Sequence, residues 1–464
     1  MNMPWTLARQ TALEAAKPLE AVEVALAEAA GFALASGVQA FVSQPSCDTS
    51  AMDGYAVRGP GPWTVVGRVT AGDPVPGVRI GAGEAFAVAT GAPVPDGSDL
   101  VIPVELCSVE GTRLIQVDAR TGGRHRGCDT DHRPGGNADL QTSGDTSHQP
   151  SGRTGHQSGA TTNLQPSGQT GHQSGATTNL QPGNASRRPG ATNLQLGKHI
   201  RRRGEDWSAG DELVPAGSLV TAAVLGLAAG AGHDTLLVHR RPRVAVVVTG
   251  DELLHSGPPR PGRVRDAIGP MLPSLLTGAD LLGTTHLRDD PAALADALSF
   301  DQADQADAVT FDQADVIVTC GATSVGPADH LRRVLADLDA DILVSGVACR
   351  PGHPMLLAVL PDGRCVVGLP GNPFAALAAV LTLLNPLLNT LGGHTTRPPI
   401  TTWLPDVGAH PEDTRLVPVT RSGVPVGHDR PGSLWGAALA DAIAVVPPGH
   451  HGGEVELLTF ASAS

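Results

Sequence analysis

Residues 243–250 read RVAVVVTG, an apolar run that stops at a threonine and a glycine. A run of that length, rich in β-branched residues and bounded by a turn signal, is the pattern of a strand buried on both faces. Two further units repeat it. ADVIVTCGATSVG (314–326) leads into the helical DHLRRVLADL (329–338), and CVVGLPGNPFAALAAVLTLLNPLL (365–388) is a strand, a turn and a helix. Between the first and second, a helix is expected over 267–277, and HLRDDPAALADALSF (286–300) places Asp290 as N-cap and Pro291 at the first helical position. Strands alternating with helices predict a three-layer α/β domain with a mostly parallel sheet over residues 241–395.

The flanks have a different character. Between about 36 and 120, short valine-rich runs such as WTVVGRV (63–69), AFAVATG (85–91), DLVIPVEL (99–106) and RLIQVD (113–118) alternate with Gly and Pro turns, as in an all-β module. Residues 6–34 read as helical, broken by Pro18, and 396–464 return to short strands. SGRTGHQSGATTNLQP (151–166) recurs as SGQTGHQSGATTNLQP (167–182), with a truncated third copy at 190–197. So polar a period cannot bury a core, and 121–196 reads as a disordered insertion. A smaller duplication, FDQAD at 300–304 and 311–315, is expected only to lengthen a surface connection.

Composition bounds the function. The 464 residues exceed one compact core, so two to four domains are expected. A net charge of −14 argues against non-specific binding to nucleic acid or membrane surfaces, which needs a basic field. Cys47, Cys107, Cys128, Cys320, Cys349 and Cys365 contain no C-x-x-C pair, so neither a zinc site nor a disulfide framework is indicated. The first residues lack a signal pattern, no apolar run reaches about 20 residues, and a cytoplasmic location is expected.

In an open parallel sheet, ligands sit beyond the carboxyl ends of the strands. Three loops occupy that edge: Thr249-Gly250-Asp251-Glu252-Leu253, then Gly321-Ala322-Thr323-Ser324-Val325-Gly326 with Asp329, then Leu369-Pro370-Gly371-Asn372-Pro373. Small residues let backbone amides approach an anion. Asp251, Glu252, Asp266 and Asp329 offer hard oxygen ligands that suit Mg²⁺ beside a phosphate. Asn372-Pro373 and Asp266-Ala267 also read as plain helix caps, and Glu252 as a solvated acid. Convergence of the three loops on one edge favours a ligand site.

SCDTSAMDGYAVRG (46–59), TGAPVPDGSDLVIPVE (90–105), IRRRGEDWSAGDELVPAG (200–217), VVTGDELL (247–254), TCGATSVGPADHL (319–331), RPGHP (350–354) and GLPGNP (368–373) occur in that order. Together they resemble the MoeA family, which includes the E domain of gephyrin. The resemblance spans the chain except 121–196. It implies a multidomain α/β plus β protein: a central MogA-like three-layer α/β domain (241–395) that binds molybdopterin, split β-rich N-terminal regions and a small C-terminal β barrel (396–464). Residues 1–40 with 207–240 would form a linker domain, with 1–20 packing on the α/β domain, and 41–206 the β domain carrying SAMDGYA.

The activity implied is insertion of molybdate into adenylylated molybdopterin, with Mg²⁺-dependent release of AMP, by a homodimer whose active site lies between subunits. Contact with other cofactor-biosynthesis proteins and with molybdoenzymes is implied too. By resemblance Asp53, Thr90, Arg201, Asp206, Glu252 and Asp329 are the catalytic candidates, with Glu252, Asp251 and Asp329 as metal ligands. Thr249, Gly250, Asp251, Gly321, Ser324, Gly326, Arg350, His353, Pro370, Gly371 and Asn372 would line the cofactor site. The chain departs from the family pattern at Arg350 and His353, where lysines are usual, at Ile268 in place of asparagine, and at Ala322 in place of glycine. Two other readings compete: an adenylyltransferase, which resembles the α/β domain alone, and a pterin-binding scaffold without catalysis.

Overall fold

The computed structural model describes residues 2–117, 195–299, 311–321, 323 and 330–460. The insertion read at 121–196 lies almost wholly outside them. The described chain divides into two compact units, one of residues 1–48 with 201–464 and one of 49–200.

The larger unit is built on the sheet expected from RVAVVVTG. Its strand order is Asp280–Leu287, Arg243–Thr249, Val316–Cys320, Cys365–Leu369, Leu356–Val359, Asp341–Ser345. The first four run parallel, Leu356–Val359 runs opposite to them, and Asp341–Ser345 pairs antiparallel with Leu356–Val359. Alternation along the central strand sends Val244, Val246 and Val248 to one face and Ala245 and Val247 to the other, all buried. The second face packs on helices Pro291–Leu298 and Leu331–Asp337. The first packs on the continuous helical stretch Pro373–Leu391 and on the N-terminal helix Trp5–Glu14.

Pro373–Leu391 is long and apolar enough to cross a membrane, although no such run was expected, and it is buried as a core helix. Its middle, Val380–Leu384, is a π-helical turn. There Trp5 Nε1 donates to Thr382 Oγ1 at 3.0 Å and Arg9 donates to the Leu381 carbonyl at 2.8 Å. A π turn loosens the backbone ladder, and Arg9 of the N-terminal helix bonds a buried backbone carbonyl within it.

The reading of 6–34 as helical holds only for Trp5–Glu14. Beyond Pro18, Ala21–Ala25 is a strand paired antiparallel with Thr235–His239, and Val22 and Val24 pack into a small core with Leu34, Val220 and Val238. A period of two in β-branched residues overrides helical spacing once a partner strand is present. The segment 267–277 is helical only at Leu272–Leu275.

The second FDQAD copy is more than a surface spacer. Phe311 is buried against Leu298 and Val366, and Asp315 takes two hydrogen bonds from Arg240, at 2.6 and 2.8 Å, and the Arg243 amide at 2.8 Å. The C-terminal residues form a half-barrel sheet in the order Met3–Pro4, Val347–Arg350, Thr414–Val419, Ala442–Val446, Gly453–Thr459, Ile400–Leu404. Two of its strands are therefore supplied from outside 396–464.

The smaller unit is a six-stranded sheet ordered Cys107–Glu110, Arg113–Gln116, Trp63–Val69, Glu84–Val88, Gly54–Val57, Leu100–Pro103. The valine-rich runs supply its strands, as expected.

Candidate functional site

In the smaller unit Asp53 ends the turn before strand Gly54–Val57, which pairs with Leu100–Pro103. A Cβ on Gly54 would lie 2.1 Å from the Ile102 carbonyl oxygen, so only glycine lets the two strands close behind the aspartate. Asp53 Oδ1 accepts the Thr90 amide at 2.7 Å and its hydroxyl at 3.2 Å. The structure thus brings together two candidates 37 residues apart, both exposed. One oxygen of Asp53 holds the TGAP turn, and among the described residues Oδ2 takes no hydrogen bond.

In the larger unit Arg201 and Asp206 form an ion pair with each other, both about two-fifths exposed. Arg202 pairs with Asp48 at 2.5 Å, and Asp48 also accepts the Arg203 amide at 2.9 Å. The guanidinium expected to meet an oxyanion is therefore neutralised by its own loop, in a solvent-exposed and readily exchanged pair.

The described ends of the three strand-end loops do converge. Thr249 is buried, and its hydroxyl donates to the Cys320 carbonyl at 3.2 Å. The Gly321 amide donates to the Leu369 carbonyl at 3.1 Å. A Cβ on Gly321, whose φ is +93°, would lie 2.8 Å from Thr249 Oγ1. Thr249 thus laces strand ends rather than offering a free hydroxyl. Gly371 stacks on Gly321 and leaves backbone open to solvent at this edge. Ala322, Ser324, Gly326 and Asp329 lie outside the described residues.

Asp251 and Glu252 are exposed after Gly250. Among the described residues Glu252 takes no hydrogen bond through its carboxylate. Asp251 Oδ1 accepts from Arg288 Nε at 3.2 Å, its carbonyl accepts from Arg263, and its amide donates to Asp289 Oδ2 at 3.1 Å. The hydrogen bond and charge of Asp251 raise the Arg288 guanidinium above its ordinary value. Asp289 is the residue that sequence reasoning missed. In RDDP the second aspartate is legible as a helix cap, whereas the first acts on a loop 38 residues away.

Asp266 is withdrawn from the ligand set. It is 7% exposed, with Oδ1 accepting the Ile268 and Gly269 amides at 3.0 Å each and Oδ2 meeting His286 Nε2 at 3.4 Å. It closes an Asx turn, and the helix begins six residues later, at Leu272. Its charge, after burial itself, raises the Cys320 thiol.

Arg350 and His353 stand apart in their partners. Arg350 Nε donates to Asp413 Oδ2 at 2.7 Å, and Asn2 Nδ2 approaches His353 Nδ1 at 3.5 Å. Asn372 occupies the N-cap position of its helix, but its side chain does not cap. The free amides of Phe374 and Ala375 instead donate to the Pro431 carbonyl, at 2.9 and 3.4 Å. A helix N-terminus expected to greet an anion is thus covered by a C-terminal loop.

Comparison with known proteins gives two family matches. Residues 3–137 match the MoeA N-terminal region (domain I and II), and residues 245–390 match a probable molybdopterin binding domain. A molybdopterin molybdenumtransferase of Nostoc sp. is 27% identical, the match covering 78% of this chain and 67% of the relative. One of Synechococcus elongatus is 27% identical over 84% of this chain and 79% of its own, and molybdopterin molybdenumtransferase 2 of Mycobacterium tuberculosis is 29% identical over 80% and 75%. The crystal structure of a molybdopterin biosynthesis MoeA protein from Pyrococcus horikosii superposes with TM-score 0.67 at 22% identity, covering 100% of both chains, and shows the same fold.

Proposed function

We infer that this chain, which belongs to the MoeA family, is a molybdopterin molybdenumtransferase of molybdenum cofactor biosynthesis. The observation that supports the reading is the convergence of the described ends of three strand-end loops on one sheet edge, with two exposed carboxylates, Asp251 and Glu252, beside glycine backbone. A family match to both the N-terminal region and the α/β domain argues against an adenylyltransferase built on the α/β domain alone.

The finer chemistry proposed is transfer of molybdate to adenylylated molybdopterin with Mg²⁺-dependent release of AMP. The residues present fit the ion: Asp251 and Glu252 are hard oxygen donors on an exposed edge. Among the described residues no three side chains make a closed metal cage, which suits Mg²⁺ held by one or two carboxylates and the substrate's own phosphates. When bound, it neutralises phosphate charge at the link to be cleaved. Asp289 keeps the Asp251 amide in place, and Arg288 holds the Asp251 carboxylate. Asp53 and Thr90 form the rigid turn proposed to orient substrate. Arg201 would release Asp206 and take molybdate as its counter-ion in its place.

A homodimer is proposed as well. Helix Ala222–Gly230 exposes only small apolar residues, Ala222, Ala223, Gly226, Ala229 and Gly230. Nearby Phe41 and Val42 are 63% and 45% exposed, with Phe41 stacked on His233. Such a face suits a second copy, and sedimentation as a monomer at micromolar concentration would refute this. A cytoplasmic location is proposed too; among the described residues Cys47, Cys107, Cys320, Cys349 and Cys365 are free thiols.

The enzymatic reading is tested with purified protein, adenylylated molybdopterin, molybdate and Mg²⁺. AMP and active cofactor are expected. No AMP release, or full activity in both Asp53→Ala and Glu252→Ala, would sink it.

A further inference from the structure

We propose that a cavity of about 220 Å³ beside the 249–254 loop binds a tetrahedral oxyanion through Arg265, His255 and His286. Which oxyanions are tried follows from the transferase reading above, but the binding itself does not depend on it.

The cavity is lined by His255, Arg265, Asp266, Gly269, Thr284 and His286, together with Pro270. The three basic side chains come from different places. His255 follows Leu254 at the end of the first loop, Arg265 ends the short strand Val264–Arg265, and His286 lies on the edge strand Asp280–Leu287. The two imidazoles meet edge to face, with ring centroids 4.1 Å apart. Such packing fixes both rings and removes the rotamer freedom a solvated histidine would keep.

The single acid in the lining does not leave the cavity receptive to a cation. Asp266 has its Oδ1 occupied by two backbone amides, and Oδ2 faces His286. What remains open toward the cavity is donor chemistry. Arg265 spends one Nη1 hydrogen bond, at 3.4 Å, on the Leu254 carbonyl, out of the five N–H donors a guanidinium carries. Thr284 adds a hydroxyl. A planar guanidinium and a hydroxyl, flanked by imidazoles that donate through both nitrogens when protonated, match the paired oxygens of a tetrahedral anion.

The shared chemistry is a tetrahedral oxyanion. It has two sources in the proposed reaction, a phosphate ester such as that of AMP, and molybdate.

Isothermal titration calorimetry on the full chain separates them, using molybdate, inorganic phosphate, AMP and adenosine as titrants. Molybdate, or phosphate together with AMP, is expected to bind at a site that depends on Arg265 and is kept in Arg201→Ala, and adenosine is not. Arg265→Ala and the double variant His255→Ala/His286→Ala should each weaken that binding by about tenfold or more, as loss of a charge-assisted hydrogen bond does. Arg265→Lys and His286→Gln, which keep a cation and a donor, should retain most of it and guard against a folding defect. The exposed His451→Ala should bind as the parent does. Molybdate weakened alone names molybdate as the occupant, and phosphate with AMP weakened alone names the ester. Absence of binding by all three anions, adenosine binding as tightly as AMP, or unchanged affinity in Arg265→Ala would overturn the proposal. Because turnover is not measured, failure of AMP release in the activity assay leaves this result standing, and the converse also holds.

Discussion

Two adjacent carboxylates at the end of one strand do different work, and exchanging each for alanine should separate stability from activity. Asp290 caps helix Pro291–Leu298, its Oδ1 accepting the Ala292 amide at 3.0 Å. Removing such a cap costs about 1 kcal/mol, and in a unit of this size that lowers Tm by roughly 2–4 °C. Asp289 points to the other side and accepts the Asp251 amide at 3.1 Å. A hydrogen bond to a charged group contributes about 1.5–3 kcal/mol, but both residues are exposed, and solvent reduces this to roughly 1 kcal/mol or less. Its larger effect is geometric. Without it the Asp251-Glu252 turn is free to shift, and a displacement on the order of 1 Å at a reacting centre can cost about 100-fold.

The expected result in the AMP-release assay is a fall in kcat/KM of about 10- to 100-fold for Asp289→Ala with little change in Tm. Asp289→Asn, which keeps an accepting oxygen, should recover part of that loss. Asp290→Ala should melt lower yet turn over within about twofold of the parent, because the cap does not touch the loop. Wild-type kcat/KM in Asp289→Ala would refute the assignment. So would an Asp290→Ala enzyme as impaired as Asp289→Ala but unchanged in Tm.

Trp5→Phe leaves the fully buried Thr382 hydroxyl without its 3.0 Å donor and should cost about 1–3 kcal/mol, read as a lower urea midpoint. An unchanged midpoint would mean that the N-terminal helix is not docked as described. Burial alone would raise the Asp315 carboxyl, but the two Arg240 hydrogen bonds and the Arg243 amide outweigh it and hold it below the ordinary value. A depressed carboxylate stabilises the fold at neutral pH, and that contribution is lost as the pH falls below about 4. Asp315→Asn should therefore be less stable at pH 7 and show a shallower acid limb in urea melts. An identical acid limb would remove Asp315 from that role. If the active site is shared between two copies, co-expressed Asp53→Ala and Glu252→Ala chains should regain activity that neither has alone, because mixed dimers contain one intact site. No recovery in demonstrated mixed dimers would refute sharing. Deletion of 121–196 should leave AMP release within about twofold, since a polar repeat buries no core; loss of folding would show that the segment is structural.

Much of the architecture was legible locally. RVAVVVTG, VIVTC and CVVGL are too apolar to face water on either side, so a doubly covered sheet followed from the residues alone. Asp290-Pro291 announced its helix because capping is decided within four residues. The likeness to the MoeA family was also carried by short motifs, each complete in one stretch of chain. Where the reading failed, the deciding partner was remote in sequence. Ala21–Ala25 became a strand because Thr235–His239 offered it a ladder, more than 200 residues later. The second FDQAD copy became part of the core because Arg240 and Arg243 converge on Asp315.

The candidate site divides in the same way. Sequence by itself determined which residue types stand at the strand ends: small residues, a threonine and two acids. Tertiary structure decided which of their groups remain free, because a hydrogen bond consumes a donor or acceptor wherever its partner comes from. Thr249 is spent on Cys320, Asp266 on its own turn, and the Phe374 amide on Pro431, whereas among the described residues the Glu252 carboxylate takes no hydrogen bond. Asp289, His255 and His286 gained their places only when the chain brought three separate segments to one edge.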